Sequence, residues 1–208
     1  MLNRILLIIL MVFSSEAFSQ KVLQKEFEIQ DIEKLTLNVD EVFSVRVTAK
    51  NTDKILVITT VQGENYENVV VNTSEENKNL ILSTGYSPFF TLENDKLAAH
   101  KVISIGMEIM VPRDMELHLS SMLASVIVKG DYKMVYIGLE NGSCNLIDFS
   151  GNASLQTKSG SITVTAKGNT SGIAISKSGS TLNELPERGK YFIKAESTTG
   201  AISLLQTN

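Results

Sequence analysis

Apolar and polar residues alternate with a period of two along most of the chain after residue 20. The clearest example is the run from Ile103 to Val111, in which every second residue is apolar. Short alternating runs separated by clusters of Asn, Gly, Ser and Asp are typical of half-buried β-strands. A helical period is almost absent. The pattern therefore predicts an all-β protein.

The second half of the chain repeats itself. Its turns align at Ala124, Gly142, Gly160, Gly179 and Gly200, in steps of 18, 18, 19 and 21 residues. Each unit contains two short strands, and a period near 20 with two strands per unit is typical of a solenoid. We therefore expect a short β-solenoid of regular repeats over residues 101–208. Strands and an irregular loop at 20–100 precede it within a single domain at 20–208.

The recurring glycines are expected to be structural. Ser-Gly-Ser occurs at 159–161 and again at 178–180. Glycine allows a tight corner or a positive φ without a Cβ clash, so Gly142, Gly160, Gly179 and Gly200 are interpreted as corners between coils. The alternative is an anion-binding glycine loop, which needs a following helix N-terminus. Strands follow here instead.

Alternation also predicts which side chains face outwards. In the coil at 161–166 the apolar residues share one face, and Thr163 and Thr165 share the other. With Lys177 from the next strand, these residues form a candidate interaction surface. The same reasoning places the apolar residues of the next strand, Ile173 and Ile175, inside the coil.

The last strand, at 201–208, is expected to lie at the end of the stack. An unpaired strand edge must be protected or used for assembly. This expectation leaves homo-oligomerisation open.

The N-terminus has the features of a signal peptide. Arg4 precedes an apolar run from Ile5 to Phe13, and Ala17-Phe18-Ser19 fits a small-x-small cleavage site after residue 19. The nine apolar residues are too few to cross a hydrocarbon core of about 30 Å. We expect residues 1–19 to be removed, with no transmembrane segment left. The protein would be exported to the periplasm, the outer-membrane surface or the extracellular space.

Charge and composition argue against several functions. The net charge is −4, which provides no electrostatic footprint for nucleic acid. Cys144 is the single cysteine, so an internal disulfide is excluded, and its alternating context predicts a small buried residue. His100 and His118 are isolated in the sequence and do not suggest a metal site. No cofactor motif occurs.

A β-helical enzyme would need carboxylates that project from adjacent coils on one face. The outward charged candidates are Asp131, Lys133, Glu140 and Asp148. They do not recur in register, so no catalytic residue is predicted.

One irregular stretch stands apart from the strands, from Gly85 to His100. It carries Tyr86, Phe89 and Phe90, which are candidate interaction residues. Two interpretations remain open: a lid over one end of the solenoid, or a partner-binding loop.

The repeat motifs resemble the putative adhesin family of bacterial envelope proteins, which is related to the head domain of putative auto-transporter adhesins. The resemblance rests on an apolar strand ending in Val111-Pro112, followed by a recurring small-Gly-x-Ile unit at 159–162 and 199–202. It covers the chain from about Glu26 onwards. Two departures are Cys144, which replaces the usual Ile, and Pro186, which predicts a looser corner in the fourth unit.

The resemblance implies a β-solenoid that acts as a non-enzymatic adhesin or interaction scaffold of the cell envelope. The partner would be an unknown protein or glycan. The scarcity of aromatic residues in the repeats and the absence of Trp weigh against a sugar-stacking platform, although outward Ser, Thr, Lys and Asn can still bind a glycan by hydrogen bonds. Two alternatives remain open: an envelope glycan-acting enzyme, and a periplasmic assembly or stress-related subunit that acts through a protein partner.

Overall fold

The computed structural model describes residues 20–63, 66–88 and 103–207. These residues form fifteen strands and one short 3-10 helix at Tyr66–Asn68, with no α-helix among them. The strands are β1 (Gln20–Glu28), β2 (Lys34–Asn38), β3 (Ser44–Lys50), β4 (Lys54–Gln62), β5 (Val69–Glu76), β6 (Asn79–Tyr86), β7 (Ser104–Pro112), β8 (Glu116–Ser121), β9 (Ser125–Leu139), β10 (Cys144–Thr157), β11 (Ile162–Lys167), β12 (Thr170–Ser176), β13 (Thr181–Asn183), β14 (Tyr191–Ser197) and β15 (Ile202–Thr207). The all-β class predicted from the sequence is confirmed. The signal-peptide segment lies outside the described residues.

All fifteen strands belong to one mixed, non-closed sheet that runs in two rows. The first row has the order β1-β4-β7-β3-β9-β10-β11-β15-β13. The second row has the order β5-β6-β2-β8-β9-β10-β14-β12. Pairing is antiparallel only at the β1, β4 and β5 ends and parallel elsewhere.

The two rows share a single hydrophobic core, which follows from the alternation in the sequence. In β7, Ile105, Met107, Ile109 and Val111 are all buried, as the pattern predicts. Inward residues from both rows join the same apolar cluster. Burial of apolar surface is the dominant favourable term in folding. A single strand pair could not bury its apolar face alone, so neighbouring strands must stack to form this core.

The long strands β9 and β10 pass through both rows. Residues 125–129 of β9 pair with β3 in the first row, and residues 134–139 pair with β8 in the second. Between them Gly130 has a φ of 106°, a conformation that favours glycine. In β10 the register shifts between Ile147 and Asn152. Each unit is thus one bent strand here, rather than two strands separated by a turn.

The expectation that the last strand forms the end of the stack is wrong. β15 pairs on one side with β11 and on the other with β13, and β14 lies between β10 and β12. β12 and β13 lie at the far end of the two rows, and β14 and β15, which follow them in the sequence, lie one position further in. The terminal strands at this end are therefore β12 and β13.

The predicted inward orientation of β12 is also wrong. Ile173 and Ile175 are each 43% exposed. The interior beside this strand is already occupied, since a Cβ on Gly172 would lie 3.0 Å from Cδ1 of Leu185 and 3.1 Å from Cδ1 of Leu204. Only small residues fit at the inward positions, so the isoleucines point outwards.

The fourth unit is irregular, as Pro186 predicts. Its first strand, β13, has only 3 residues, and no strand is formed between Asn183 and Tyr191. Leu185 from this segment is buried and belongs to the apolar cluster of the core. Proline cannot donate a ladder hydrogen bond, which accounts for the interruption.

Four of the five turns between units are held by a hydroxyl group three residues before the corner; the exception is Gly142, where that residue is Leu139. The backbone N–H groups of Ala124, Gly179 and Gly200 donate to Ser121 Oγ, Ser176 Oγ and Ser197 Oγ at 3.0, 2.9 and 2.8 Å. The hydroxyl of Thr157 donates to the carbonyl oxygen of Gly160 at 2.9 Å and lies 3.0 Å from Ser197 Oγ. Satisfying these polar groups inside the stack avoids the cost of burying them unpaired.

The corner glycines stack in one column. A Cβ built on Gly142 would lie 1.7 Å from the carbonyl oxygen of Ala124, and one on Gly160 would lie 2.1 Å from that of Gly142. Such distances leave no room for any side chain. The structure therefore places all four predicted corner glycines where backbone approaches backbone.

Candidate ligand-binding groove

Parallel pairing aligns the outward side chains of the second row into ladders. One ladder runs through Thr36, His118, Tyr136, Ser154 and Lys194. The next ladder runs through Asn38, Ser120, Gly138, Gln156 and Glu196. Neighbouring members of a ladder lie about 4.8 Å apart, the spacing of hydrogen-bonded strands.

Gly138 makes this surface concave. A Cβ built on Gly138 would meet nothing within 4 Å, so the position beside Tyr136 is open space. Gly138 lines a hollow of about 450 Å³, and an adjoining hollow of about 600 Å³ shares Ser120, Gly138 and Gln156 with the first. We call the two hollows together the second-row groove. Each volume lies within the range of about 300–1,000 Å³ that is usual for small-molecule sites.

Two rings form one wall of the smaller hollow. The rings of His118 and Tyr136 have centroids 4.5 Å apart and planes tilted by 57°. His118 Nε2 lies 2.6 Å from Glu116 Oε1, which fixes the imidazole against the sheet. Tyr136 remains 41% exposed. The tyrosine ring is thus a supported aromatic surface open to solvent.

Neutral polar groups flank the two rings and form the neighbouring ladder. Ser120 Oγ donates to Asn38 Oδ1 at 3.0 Å, and Thr36 and Ser154 lie on either side of the two rings in their ladder. The residues that line the smaller hollow include no carboxylate, lysine or arginine. This part of the groove is therefore suited to an uncharged ligand with hydroxyl or amide groups.

Charged groups lie at the edges of the groove, and two oppositely charged pairs are found among them. Lys194 Nζ lies 2.9 Å from Glu196 Oε2, to which Gln156 Nε2 also donates at 3.1 Å. Hydrogen bonds from Lys194 and then Gln156 lower the pKa of Glu196 below its ordinary value. At the larger hollow, Lys158 Nζ lies 3.2 Å from Glu140 Oε2. Such exposed pairs add little stability, but they balance the local charge.

The structure separates the predicted interaction residues. Thr163 and Thr165 lie on β11 in the first row, and the hydroxyl of Thr165 donates to the carbonyl oxygen of Leu146 at 3.3 Å. Lys177 follows β12 and lines the larger hollow of the second-row groove. Tyr86, at the end of β6, is half-buried against the core, and burial raises the pKa of its phenol.

Two other predicted residues, Phe89 and Phe90, lie outside the described residues. Cys144 is fully buried, as predicted, and burial raises the pKa of its thiol to about 12.

The carboxylates considered for catalysis each have a basic neighbour. Asp131 Oδ2 lies 3.7 Å from Nε of Arg113, Asp148 Oδ2 lies 3.1 Å from Nζ of Lys129, and Glu140 pairs with Lys158. Within 20–63, 66–88 and 103–207, no group of three or more His, Cys, Asp or Glu side chains is arranged to hold a metal ion.

Over the same ranges, no helix has the length and apolar character needed to cross a membrane.

The groove residues were missed by reasoning from the sequence, although a signal is present. His118, Tyr136 and Ser154 are spaced by 18 residues, as are Ser120, Gly138 and Gln156. The same step separates the first corner positions. Extending the repeat to the outward residues brings these groups into register.

Comparison with solved structures places this fold among known ones. The chain is similar to a putative cell adhesion protein from Clostridium sporogenes, with a TM-score of 0.60 and 15% identity over 91% of this chain and 100% of that one. It also matches a putative adhesin from Bacteroides fragilis, with a TM-score of 0.45 and 12% identity over 91% of this chain and 98% of that one. No family model and no curated protein matches the sequence.

The first match shows a shared fold. At 15% identity it shows nothing about residues or ligand. The resemblance to the putative adhesin family is thereby confirmed at the level of the fold.

Proposed function

We propose that this protein is a non-enzymatic, exported binding protein of the adhesin type, which attaches to a partner on a cell surface or in the envelope through the second-row groove. The observation that carries the proposal is the groove itself: an open hollow on a rigid sheet, with a supported tyrosine ring and neutral polar groups. Residues on strands of a packed sheet lose little freedom when a ligand binds, which favours affinity.

In this proposal, the two rows of parallel strands are the scaffold that supports the groove. We interpret them as the coils of a short β-solenoid, because units at steps of 18 residues stack in register from β9 to β10 and from β10 to β11. A stack of this kind presents an extended outer surface that can bind a partner. The names of the structural relatives agree with an adhesive role, and export agrees with the signal-peptide features of residues 1–19.

Two matched variants test the role of the groove. Gly138→Trp fills the hollow beside Tyr136, whereas Gly106→Trp adds the same side chain to the outer face of the first row, where a Cβ also meets nothing within 4 Å. Binding of the purified protein to surfaces coated with mucin, peptidoglycan or collagen would be measured by biolayer interferometry.

We expect saturable binding of the wild type and of Gly106→Trp to at least one surface, and loss of that binding in Gly138→Trp. Thermal unfolding of both variants checks that each is folded. Binding that survives in a folded Gly138→Trp variant would remove the groove from the proposal. A protein that binds no surface, yet cleaves glycan in the same samples, would overturn the non-enzymatic adhesin role.

A further inference from the structure

The smaller hollow of the second-row groove combines a supported aromatic ring with uncharged hydrogen-bonding groups. We propose that it binds a neutral saccharide unit, with the sugar ring stacked on Tyr136. The inference rests on the proposed function and specifies its ligand class. It also revises the expectation that too few aromatic residues exist for sugar stacking, because folding brings His118 and Tyr136 together from separate units.

The ring supplies the first part of the recognition. One face of a pyranose consists of C–H groups, and an aromatic face carries negative quadrupole density that attracts them. Tyr136 is 41% exposed, and His118 supports it from the neighbouring strand. Tyrosine has only two side-chain torsions to order, so the entropic cost of using it as a platform is small.

The neutral polar groups supply the second part. Sugar hydroxyls both donate and accept, and the amides of Asn38 and Gln156 with the hydroxyl of Ser154 offer both functions. Thr36 offers an acceptor, because its hydroxyl donates to Asn79 Oδ1 at 2.9 Å. Gly138 leaves room between these groups and the ring. A sugar therefore finds an apolar platform on one side and hydrogen-bonding partners at its edge.

Charge decides between a neutral and an anionic ligand. The nearest lysine along the ladder, Lys194, is already paired with Glu196. Glu116 lies beside His118, where it disfavours the approach of a negative group. Within the smaller hollow, a phosphate or uronate would lose solvation with no lysine or arginine to offset the loss, so neutral sugars are preferred there.

The test uses defined oligosaccharides as probes. Saturation-transfer difference NMR would be recorded with maltotetraose, mannotetraose and N,N′,N″,N‴-tetraacetylchitotetraose as neutral probes, and with tetragalacturonate as the anionic probe. We expect at least one neutral probe to bind, with saturation strongest at the C–H protons of one sugar ring. The dissociation constant of that probe should be at least tenfold higher in Tyr136→Ala. Tyr136→Phe should retain binding, since it keeps the ring, and Gly106→Trp should bind like the wild type.

Several results would overturn the inference. One is binding of tetragalacturonate but of no neutral probe. Another is binding of a neutral probe that is unchanged in Tyr136→Ala. The third is that no sugar binds at all. In the last case, surface attachment that is still sensitive to Gly138→Trp would preserve the proposed function while this ligand class falls. Conversely, Tyr136-dependent sugar binding without attachment to any surface would preserve the ligand class while the adhesive role falls.

Discussion

The carbonyl oxygen of Gly160 occupies the space that a side chain on Gly200 would need, because a Cβ there would lie 1.7 Å from it. Gly179 lies between the two in the sequence but beyond Gly200 in the stack, where its own Cβ would lie 2.2 Å from the carbonyl oxygen of Gly200. The last unit is thus inserted between the third and the fourth. The contact couples the C-terminal strand to the interior of the stack.

Gly200→Ala should therefore be severely destabilising. The added methyl group meets backbone rather than a movable side chain, so two units must separate, at a cost of about 3 kcal/mol or more. The matched control is Gly106→Ala, in which the methyl group enters open space. Urea unfolding followed by circular dichroism compares the two. Equal midpoints for Gly200→Ala and wild type would contradict the stacking of these corners.

Thr157→Val should cost about 1–3 kcal/mol, because it removes the donor to the carbonyl oxygen of Gly160 and leaves the Ser197 hydroxyl with only its contact to the N–H of Gly200. The replacement has nearly the same shape, so loss of packing contributes little. Thr163→Val, on the outer face of β11, is the control and should change stability by less than about 0.5 kcal/mol. The free energy of unfolding of each variant provides the measurement. Similar losses in both would show that the hydroxyl at 157 has no special role.

Ile193→Ala and Ile173→Ala test the orientation of the end strands. Ile193 on β14 is fully buried, so its truncation should lower the free energy of unfolding by about 2–5 kcal/mol. Ile173 on β12 is 43% exposed, so its truncation should lower it by less than about 1 kcal/mol. Both substitutions remove the same atoms from neighbouring strands. Thermal or urea unfolding distinguishes them, and a reversed order would restore the inward orientation expected from the sequence.

Cys144 should not react with Ellman's reagent in the native protein and should react stoichiometrically after unfolding in guanidinium. Burial raises the pKa of its thiol from 9.0 to about 12. Between these values the unfolded chain releases a proton that the native protein retains. The stabilisation from the buried thiol is thus complete below pH 9 and falls by about 1.4 kcal/mol per pH unit as the pH rises towards 12.

Cys144→Ala removes this part of the pH dependence and serves as the control for it. Its stability curve above pH 9 should fall less steeply than that of the wild type. Rapid native labelling at neutral pH would show that the thiol is accessible, which would contradict its burial.

The period-two alternation and the repeated corner glycines were sufficient to predict the strands, most of the core and the corners. These features are local: alternation follows from the pleat of a strand, and glycine follows from the steric needs of one turn. The 18-residue repeat also relates residues of the groove, since His118, Tyr136 and Ser154 are 18 residues apart. Tyr136 alone does not indicate a binding site in the sequence. Its ring can serve as one only because folding places His118 against it and leaves open space at Gly138.

Only the tertiary structure decided the order of the final strands and the orientation of β12. A repeat predicts that each unit packs on the one before it, but parallel strands of similar sequence offer equivalent hydrogen-bonding partners, so the local pattern does not specify which neighbour is chosen. β15 therefore lies between β11 and β13 without any local signal. Likewise, Ile173 follows the alternation expected of a core residue, but it points outwards because Leu185 and Leu204 already fill the interior beside Gly172. Competition for a limited core volume involves residues distant in sequence, and so only the folded chain resolves it.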